Sequence, residues 1–384
     1  MTVDDHYPSL PLSSLHKQKI EELRKRAVED LLAFPGYDTD FNLLRWLLGY
    51  DYDIETILPK LRLTTITLTT MGLDNKKAED AVSANQLVRS LSLATEYFPG
   101  GIMGTDDQGN IIFMQSIARA HPKTLVKAGP VSMFYRISIT QTEMCFKLIR
   151  QLEQKHSKKL GLKIIMDLDG FSTDLMYMPT LKIYKSLLAL AQEIFPDIAR
   201  QIFVINSPLV IRAVYNMICP ALSKQTKEKV LFLGSDWRDV LSKELGAHNI
   251  YPHWGGTKKH PAGPTGDLRM GGKVPPELQY NSEKDLDEVT ILKVAARSKQ
   301  KVSIQAEKGQ TVHWWWRVSN GDLDFWVERD GYIYWPIFRL STEFHPEVGK
   351  FVCKETDTFT FYFDNSHGTV WSKEVRYKIW IEQE

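Results

Sequence analysis

The sequence predicts an α/β domain built on a mixed, mostly parallel sheet, with a helical region before it and an all-β sandwich after it. Three observations lead there. Short apolar runs at 163–169 (KIIMDLD), 202–206 (IFVIN) and 230–233 (VLFL) each end at polar residues and enclose helix-length segments. That is the pattern of parallel strands buried on both faces. Residues 14–92 repeat apolar positions every three or four residues, as amphipathic helices do. The last hundred residues are aromatic and β-branched in short alternating runs, as sandwich strands are. The chain divides accordingly into 1–92 (helical), 93–256 (α/β), 257–284 (linker and approach) and 285–384 (sandwich).

Taken in order, Ile20, Leu23, Ala27 and Leu31 form one helical face. Leu43, Leu44, Trp46, Leu47 and Leu48 begin a second helix with Asp40 as its cap. Gly100 and Gly101, the turn at 106–110 (DDQGN) and the run 111–114 (IIFM) predict a hairpin entering the sheet. Pro130 opens a long helix to about residue 159, whose apolar face carries Phe134, Ile137, Cys145, Leu148 and Leu152. Between Gly255 and Pro276 the chain has six glycines and four prolines, a composition that reads as a mobile linker. Strands follow at 289–295, 301–305, 311–318, 324–327, 358–363 and 375–381, with Phe359, Phe361 and Phe363 on one face. Seven of the ten tryptophans fall in this region, three of them consecutive at 314–316. Successive strand residues point to opposite faces, so three in a row cannot all turn inward, and an exposed aromatic suits a protein partner or a membrane interface.

Composition narrows the function. With 384 residues, 43% apolar and 25% charged, the chain can bury a large core, and a net charge of +1 gives no general attraction to nucleic acid. Cys145, Cys219 and Cys353 are odd in number and lie in apolar surroundings, as reduced thiols do. A reducing compartment is expected. The first fourteen residues lack a basic stretch followed by an apolar core, so no secretory signal is read there. No window approaches the ~20 apolar residues that span a bilayer, so membrane contact is expected to be peripheral. No phosphate-binding glycine loop, nucleophile elbow or paired-histidine zinc motif occurs, and neither a metal nor a cofactor is expected.

Two segments carry chemistry. Asp167 and Asp169 after a strand are similar to the first motif of haloacid-dehalogenase phosphatases, with Asp167 as nucleophile and Asp169 as general acid. Ser207, Lys229, Ser235 and Asp236 would then supply phosphate and magnesium ligands. Acids that end strands and cap helices have the same appearance. The segment 208–222 is apolar around nearly its whole circumference, interrupted by Arg212 and Asn216. Such a helix is either deeply buried or a lid between a lipid cavity and a bilayer.

With those residues in place the chain resembles CRAL-TRIO lipid-binding proteins that carry a C-terminal GOLD domain. The likeness is collinear through 43–47 (LLRWL), 52–54 (YDI), 104–113 (GTDDQGNIIF), 165–170 (IMDLDG), 195–197 (FPD), 203–208 (FVINSP), 231–234 (LFLG), 254–256 (WGG) and 361–365 (FYFDN). It implies a non-enzymatic protein that encloses one hydrophobic molecule and exchanges or presents it at membranes. Enclosure has a physical basis: a diacyl lipid has about 30 methylenes, and exposing them costs roughly 25 kcal/mol unless apolar walls replace the acyl phase. The implied pocket is lined by Phe113, Phe134, Ile137, Ile165, Tyr184, Leu188, Phe203 and Ile205. The implied gate carries Val214, Tyr215, Met217 and Ile218. Asp197, Thr226 and Lys229 match the headgroup positions of phosphatidylinositol binders. Tyr50 and Asp51 depart from the family where it has a basic residue, and Leu162 and Ala191 stand where phosphatidylcholine binders have serines. The cargo is thus phosphatidylinositol or a less polar lipid or isoprenoid. The expected partners are a lipid, a transient membrane surface and a protein recruited through the GOLD domain, with nucleic acid excluded. The implied location is cytoplasmic, at Golgi or vesicle membranes. The competing readings are the phosphatase and a lipid-free trafficking adaptor.

Overall fold

The structure, a computed structural model, describes residues 6–281 and 285–382; residues 1–5, 282–284 and 383–384 of the segments delimited above lie outside the described residues. The chain forms two compact units. The first comprises Met1–Thr65, Leu73–Pro122 and Ile137–Lys273; the second comprises Ile66–Gly72, Lys123–Arg136 and Val274–Glu384.

In the first unit, helices Ser14–Arg26, Asp40–Gly49, Ile54–Thr65 of a longer helix, and Ala81–Arg89 precede the sheet. The second of these is capped by Thr39, whose hydroxyl accepts from the Asn42 amide at 3.2 Å, so Asp40 is the first helical residue and not the cap. Arg45 ties this helix to the long helix Val131–His156: its Nη1 donates to Glu153 Oε2 at 3.1 Å, and its Nη2 donates to Glu153 Oε1 and to the Leu160 carbonyl.

The sheet runs in the order β1 (Gly101–Thr105), β2 (Ile111–Gln115), β3 (Leu162–Asp167), β4 (Ala199–Ile205), β5 (Val230–Phe232). The β1–β2 hairpin is antiparallel, and β2 through β5 are parallel, as the alternating apolar runs and helices predict. Helices Val131–His156, Met178–Ile194 and Ile211–Ile218 make the successive crossovers.

Register assigns side chains to faces. Met114, Ile165 and Phe203 are cross-strand neighbours, as are Asp167 and Ile205, and all five project to one side. That side is filled. Met103 and Ile112 extend the sheet's own layer, and Trp237, Leu241, Leu245, Ile250, Tyr251, Trp254 and Leu268 pack over it. The other side presents Phe113, Ile164, Ile202 and Val230 in one row and Met166, Val204 and Phe232 in the next.

Residues 257–273 are not a detached linker. Leu268 belongs to the core just described, and the buried guanidinium of Arg269 donates to the Phe98 carbonyl at 3.1 Å and to Gln141. Glycine and proline here let the backbone follow the surface closely: a Cβ on Gly266 would lie 2.2 Å from the Tyr251 ring.

The second unit is a sandwich of two antiparallel four-stranded sheets. Its strands are β6 (Thr290–Val294), β7 (Lys299–Ala306), β8 (Thr311–Val318), β9 (Asp322–Arg329), β10 (Tyr332–Ser341), β11 (Glu347–Val352), β12 (Asp357–Asp364) and β13 (Lys373–Ile381). The six predicted strands are present, and β10 and β11 are additional. Phe359, Phe361 and Phe363 share the interior with Trp314, Trp316 and Phe325. Trp315 projects to the opposite side, between Val348 and Lys378, and is nevertheless buried. The tryptophan run is therefore buried; among the described residues Trp371, at 77% exposure, is the exposed tryptophan.

Along the β10/β11 side, the first turn of helix Val131–His156 packs on the sandwich. Tyr135 stacks on Phe338 at 5.0 Å between ring centroids, Arg136 lies 5.3 Å over Trp335, and Ser132 donates to Glu347 at 2.8 Å.

Candidate functional site

The two ends of the parallel sheet hold different chemistry. At the C-terminal end of β3, Asp167 is 1% exposed and its oxygens are fully engaged. Oδ2 accepts from Trp254 Nε1 at 2.9 Å, and Oδ1 accepts from Asn206 Nδ2 at 2.8 Å and the Asp169 amide at 2.9 Å. Asp169 pairs with Arg119 at 3.0 Å. A nucleophile must reach a phosphorus atom, and this carboxylate reaches only its own scaffold. Lys229 stands at the start of β5, at the other end of the sheet. Register sets it level with Lys163, about four residues or ~13 Å along the strands from Asp167 and two strands across, with its ammonium turned to Asp197, so the two cannot share a phosphate. Among the described residues no cluster of three His, Cys, Asp or Glu side chains suits a metal.

At the starts of the strands, Asp197 anchors a buried ion network. Its Oδ1 lies 2.6 Å from His6 Nε2 and 2.7 Å from Lys229 Nζ, and its Oδ2 lies 2.6 Å from Lys159 Nζ. Burial alone would push the Asp197 carboxyl up, but Lys159, His6 and Lys229 outweigh it and hold the group well below the usual carboxylate range. Lys159 is pulled below the ordinary lysine range by the same burial, against the attraction of Asp197. Tyr7 lies between the two neighbouring cations, 4.3 Å from Lys159 and 4.2 Å from Arg200. Thr226 adjoins this network through the backbone, its carbonyl accepting from the Lys229 amide at 3.1 Å, while its hydroxyl is paired with Ser223 at 2.8 Å.

The structure thus brings Asp197 and Lys229 together, with Thr226 beside them. It also commits both Asp197 oxygens to cations, leaving no free carboxylate oxygen for inositol hydroxyls. Lys159 and His6 were missed by sequence reasoning. They lie 38 and 191 residues from Asp197, and no local pattern links them.

The predicted pocket residues divide. Ile165, Phe203 and Ile205 lie on the filled face of the sheet and are corrected here: alternation places their neighbours Ile164, Met166, Ile202 and Val204 with Phe113 on the other face. Both faces are apolar, so composition alone did not choose between them. Phe134 belongs to the second unit, while Ile137 is fully buried in the first.

On the face of Phe113, apolar side chains keep surface. Ile164, Met166, Ile117, Phe171, Leu175, Ile211 and Val230 are only partly buried around Ala118, Leu168, Ala199, Ile202 and Val204. Tyr184 and Leu188, on helix Met178–Ile194, are likewise partly buried. Desolvation pushes the Tyr184 phenol up to about 12 although the residue retains accessible surface.

Helix Ile211–Ile218 is a surface helix. Val214 is buried, Tyr215, Met217 and Ile218 are partly so, and Leu209 and Val210 just before it are exposed. Tyr215 packs edge-on against Phe232 of the sheet at 5.3 Å. Gln192, near the end of helix Met178–Ile194, donates to the Ala221 carbonyl at 2.6 Å and accepts from the Ser223 amide at 2.8 Å, tying the far end of the segment down. The helix is thus half covered, and its segment is held at the far end.

Residues 95–256 match the CRAL/TRIO domain family. This part of the chain is similar to CRAL/TRIO domains. The chain is 24% identical over 284 residues to Protein real-time of Drosophila melanogaster, covering 72% of this chain but only 40% of that protein. It is 21% identical over 394 residues to Protein ctg-1 of Caenorhabditis elegans, covering 98% of each. The crystal structure of Sfh5 aligns with 61% of this chain and 84% of its own at 17% identity and a TM-score of 0.43. The matched stretch ends two residues after Trp254, whose Nε1 donates to Asp167 at the end of β3.

Proposed function

We propose that the chain binds one lipid between the Phe113–Ile164–Ile202 face of the sheet and the helices that follow β3 and β4, and exchanges it at membranes through helix Ile211–Ile218. CRAL/TRIO domains are typically lipid-binding, which supports the reading at the level of class. The observation that carries it is the inequality of the two sheet faces. One is packed with indole and aliphatic side chains, and the other leaves apolar groups partly uncovered beneath helices. Apolar surface kept inside a domain costs about 25 cal/mol per Å² until something covers it. A hydrocarbon guest covers it.

For the headgroup, the favoured element is the Lys229 and Thr226 edge, with Lys159 and His6 compensating Asp197 behind it; hydroxyl and ammonium donors suit a phosphate. The all-β unit would act as the interaction module that the GOLD resemblance implies. Native mass spectrometry of the purified full chain, followed by solvent extraction of the bound species, tests the proposal. One lipid per chain is expected. A lipid-free protein that also fails to take up lipid from vesicles would overturn it.

A further inference from the structure

One end of the sandwich gathers the β6–β7 turn at 295–298, the β8–β9 turn at 319–321 and the β12–β13 loop at 365–372. The last of these exposes two adjacent bulky apolar residues, Val370 at 70% and Trp371 at 77%. They do not protrude because the loop lacks structure. Asn365 is 2% exposed, and its amide donates to the carbonyls of Ala295 at 3.2 Å and Trp371 at 3.1 Å. The Arg297 amide, at a positive φ of 58°, donates to the Asn365 and Gly368 carbonyls, each at 3.1 Å. The knot presents Trp371 to solvent as its fixed conformation.

The occupant follows from shape and charge. The tip is convex, and two side chains offer far less than the ~800 Å² per partner that a stable protein interface buries. Their flanks are small and polar, Ser366, Thr369 and Ser372. Charged groups of both signs lie nearby: Asp322 pairs with Arg339 at 2.9 Å and Lys373 at 3.8 Å, Asp324 lies 3.1 Å from His367, Lys299 stands opposite Asp364 in the register, and Arg297 and Glu374 are exposed beside the loop. With both signs interspersed, no single-sign field draws the tip to an anionic or a cationic partner, and its distinctive contact chemistry is that of an indole and an isopropyl group. Indole, apolar with one N–H donor, suits the wet boundary between lipid headgroups and acyl chains.

We propose that the β12–β13 loop is a shallow membrane-insertion tip, in which Trp371 and Val370 enter the headgroup–acyl boundary of a zwitterionic bilayer. Insertion of so small an apolar area gives weak, reversible attachment. It is separate from cargo binding, because the tip belongs to the sandwich and lies outside residues 95–256.

The test is co-sedimentation of the full chain with phosphatidylcholine vesicles. Trp371→Ala should weaken binding about tenfold, Val370→Trp should strengthen it, and raising the salt concentration should change neither. Thermal midpoint and bound-lipid content by native mass spectrometry should match the parent in both variants, so a failure here leaves the cargo proposal standing. Three results would overturn the tip: a parent protein that does not sediment with the vesicles, a Trp371→Ala variant that binds like the parent, or binding that requires anionic lipid and disappears in salt.

Discussion

Asp197 sits where two lysines and a histidine converge, and the consequence for stability differs sharply from that for its neighbour Thr226. Lys159 has no exposed side-chain surface, so replacing Asp197 with Asn leaves a buried ammonium without its counter-charge. Breaking a buried pair from one side costs about 3–5 kcal/mol, and chemical denaturation of Asp197→Asn should report a loss of that order. Thr226→Ala, at a partly exposed five-residue helix, should cost under about 1 kcal/mol while still altering headgroup selectivity. Because the Asp197 carboxyl is held below its ordinary 3.8, its contribution is present above that pH and fades as the solution is acidified further.

Glu347 works with the opposite sign. Burial raises its carboxyl to about 8, against the opposing hydrogen bond from Ser132. The folded state therefore binds the proton more tightly than the unfolded chain. That advantage is complete below the ordinary 4.5 and is lost as pH rises through about 8. The melting midpoint should fall between about pH 5 and 8, and Glu347→Gln should flatten the slope; an unchanged slope would reject the assignment. Such residues were invisible in sequence, since their partners come from distant segments.

Among the elements, helix Ile211–Ile218 is the one whose surroundings decide its role. Its all-round apolar sequence suited either deep burial or a lid, and the structure gives partial burial with an aromatic contact to Phe232. Ile218 retains surface, so Ile218→Asp should leave the thermal midpoint within a few degrees of the parent while lipid exchange between vesicles falls to background. Exchange at the parental rate would remove the gate. The strands were legible as strands, but their orientation was not. A parallel strand apolar on both faces carries no polar side to mark the outside, so choosing Ile165 and Phe203 over Ile164 and Ile202 turned on a one-residue parity that only register supplies. β10 and β11 escaped notice because Pro336 interrupts one and Gly349 the other. That glycine is required: a Cβ there would lie 2.0 Å from the Trp314 ring.

For the molecule as a whole, sequence composition separated helical, α/β and all-β regions correctly in order. It did not show that segments remote from the sandwich belong to its unit, Lys123–Arg136 among them. Tyr135 is buried and stacked on Phe338, so Tyr135→Ala should destabilise the second unit by about 3 kcal/mol, measured as an earlier unfolding transition in calorimetry. A separately expressed sandwich beginning at residue 285 would lack that ring and should unfold earlier than the same unit in the full chain.

The bond from Trp254 to Asp167 bolts the underside of the sheet to the chain's return path. A passenger arriving from the opposite side meets a floor that cannot give. Accommodation must then come from the roof, so guests of different bulk should be told apart by how far the cover lifts and not by any reshaping of the platform beneath them.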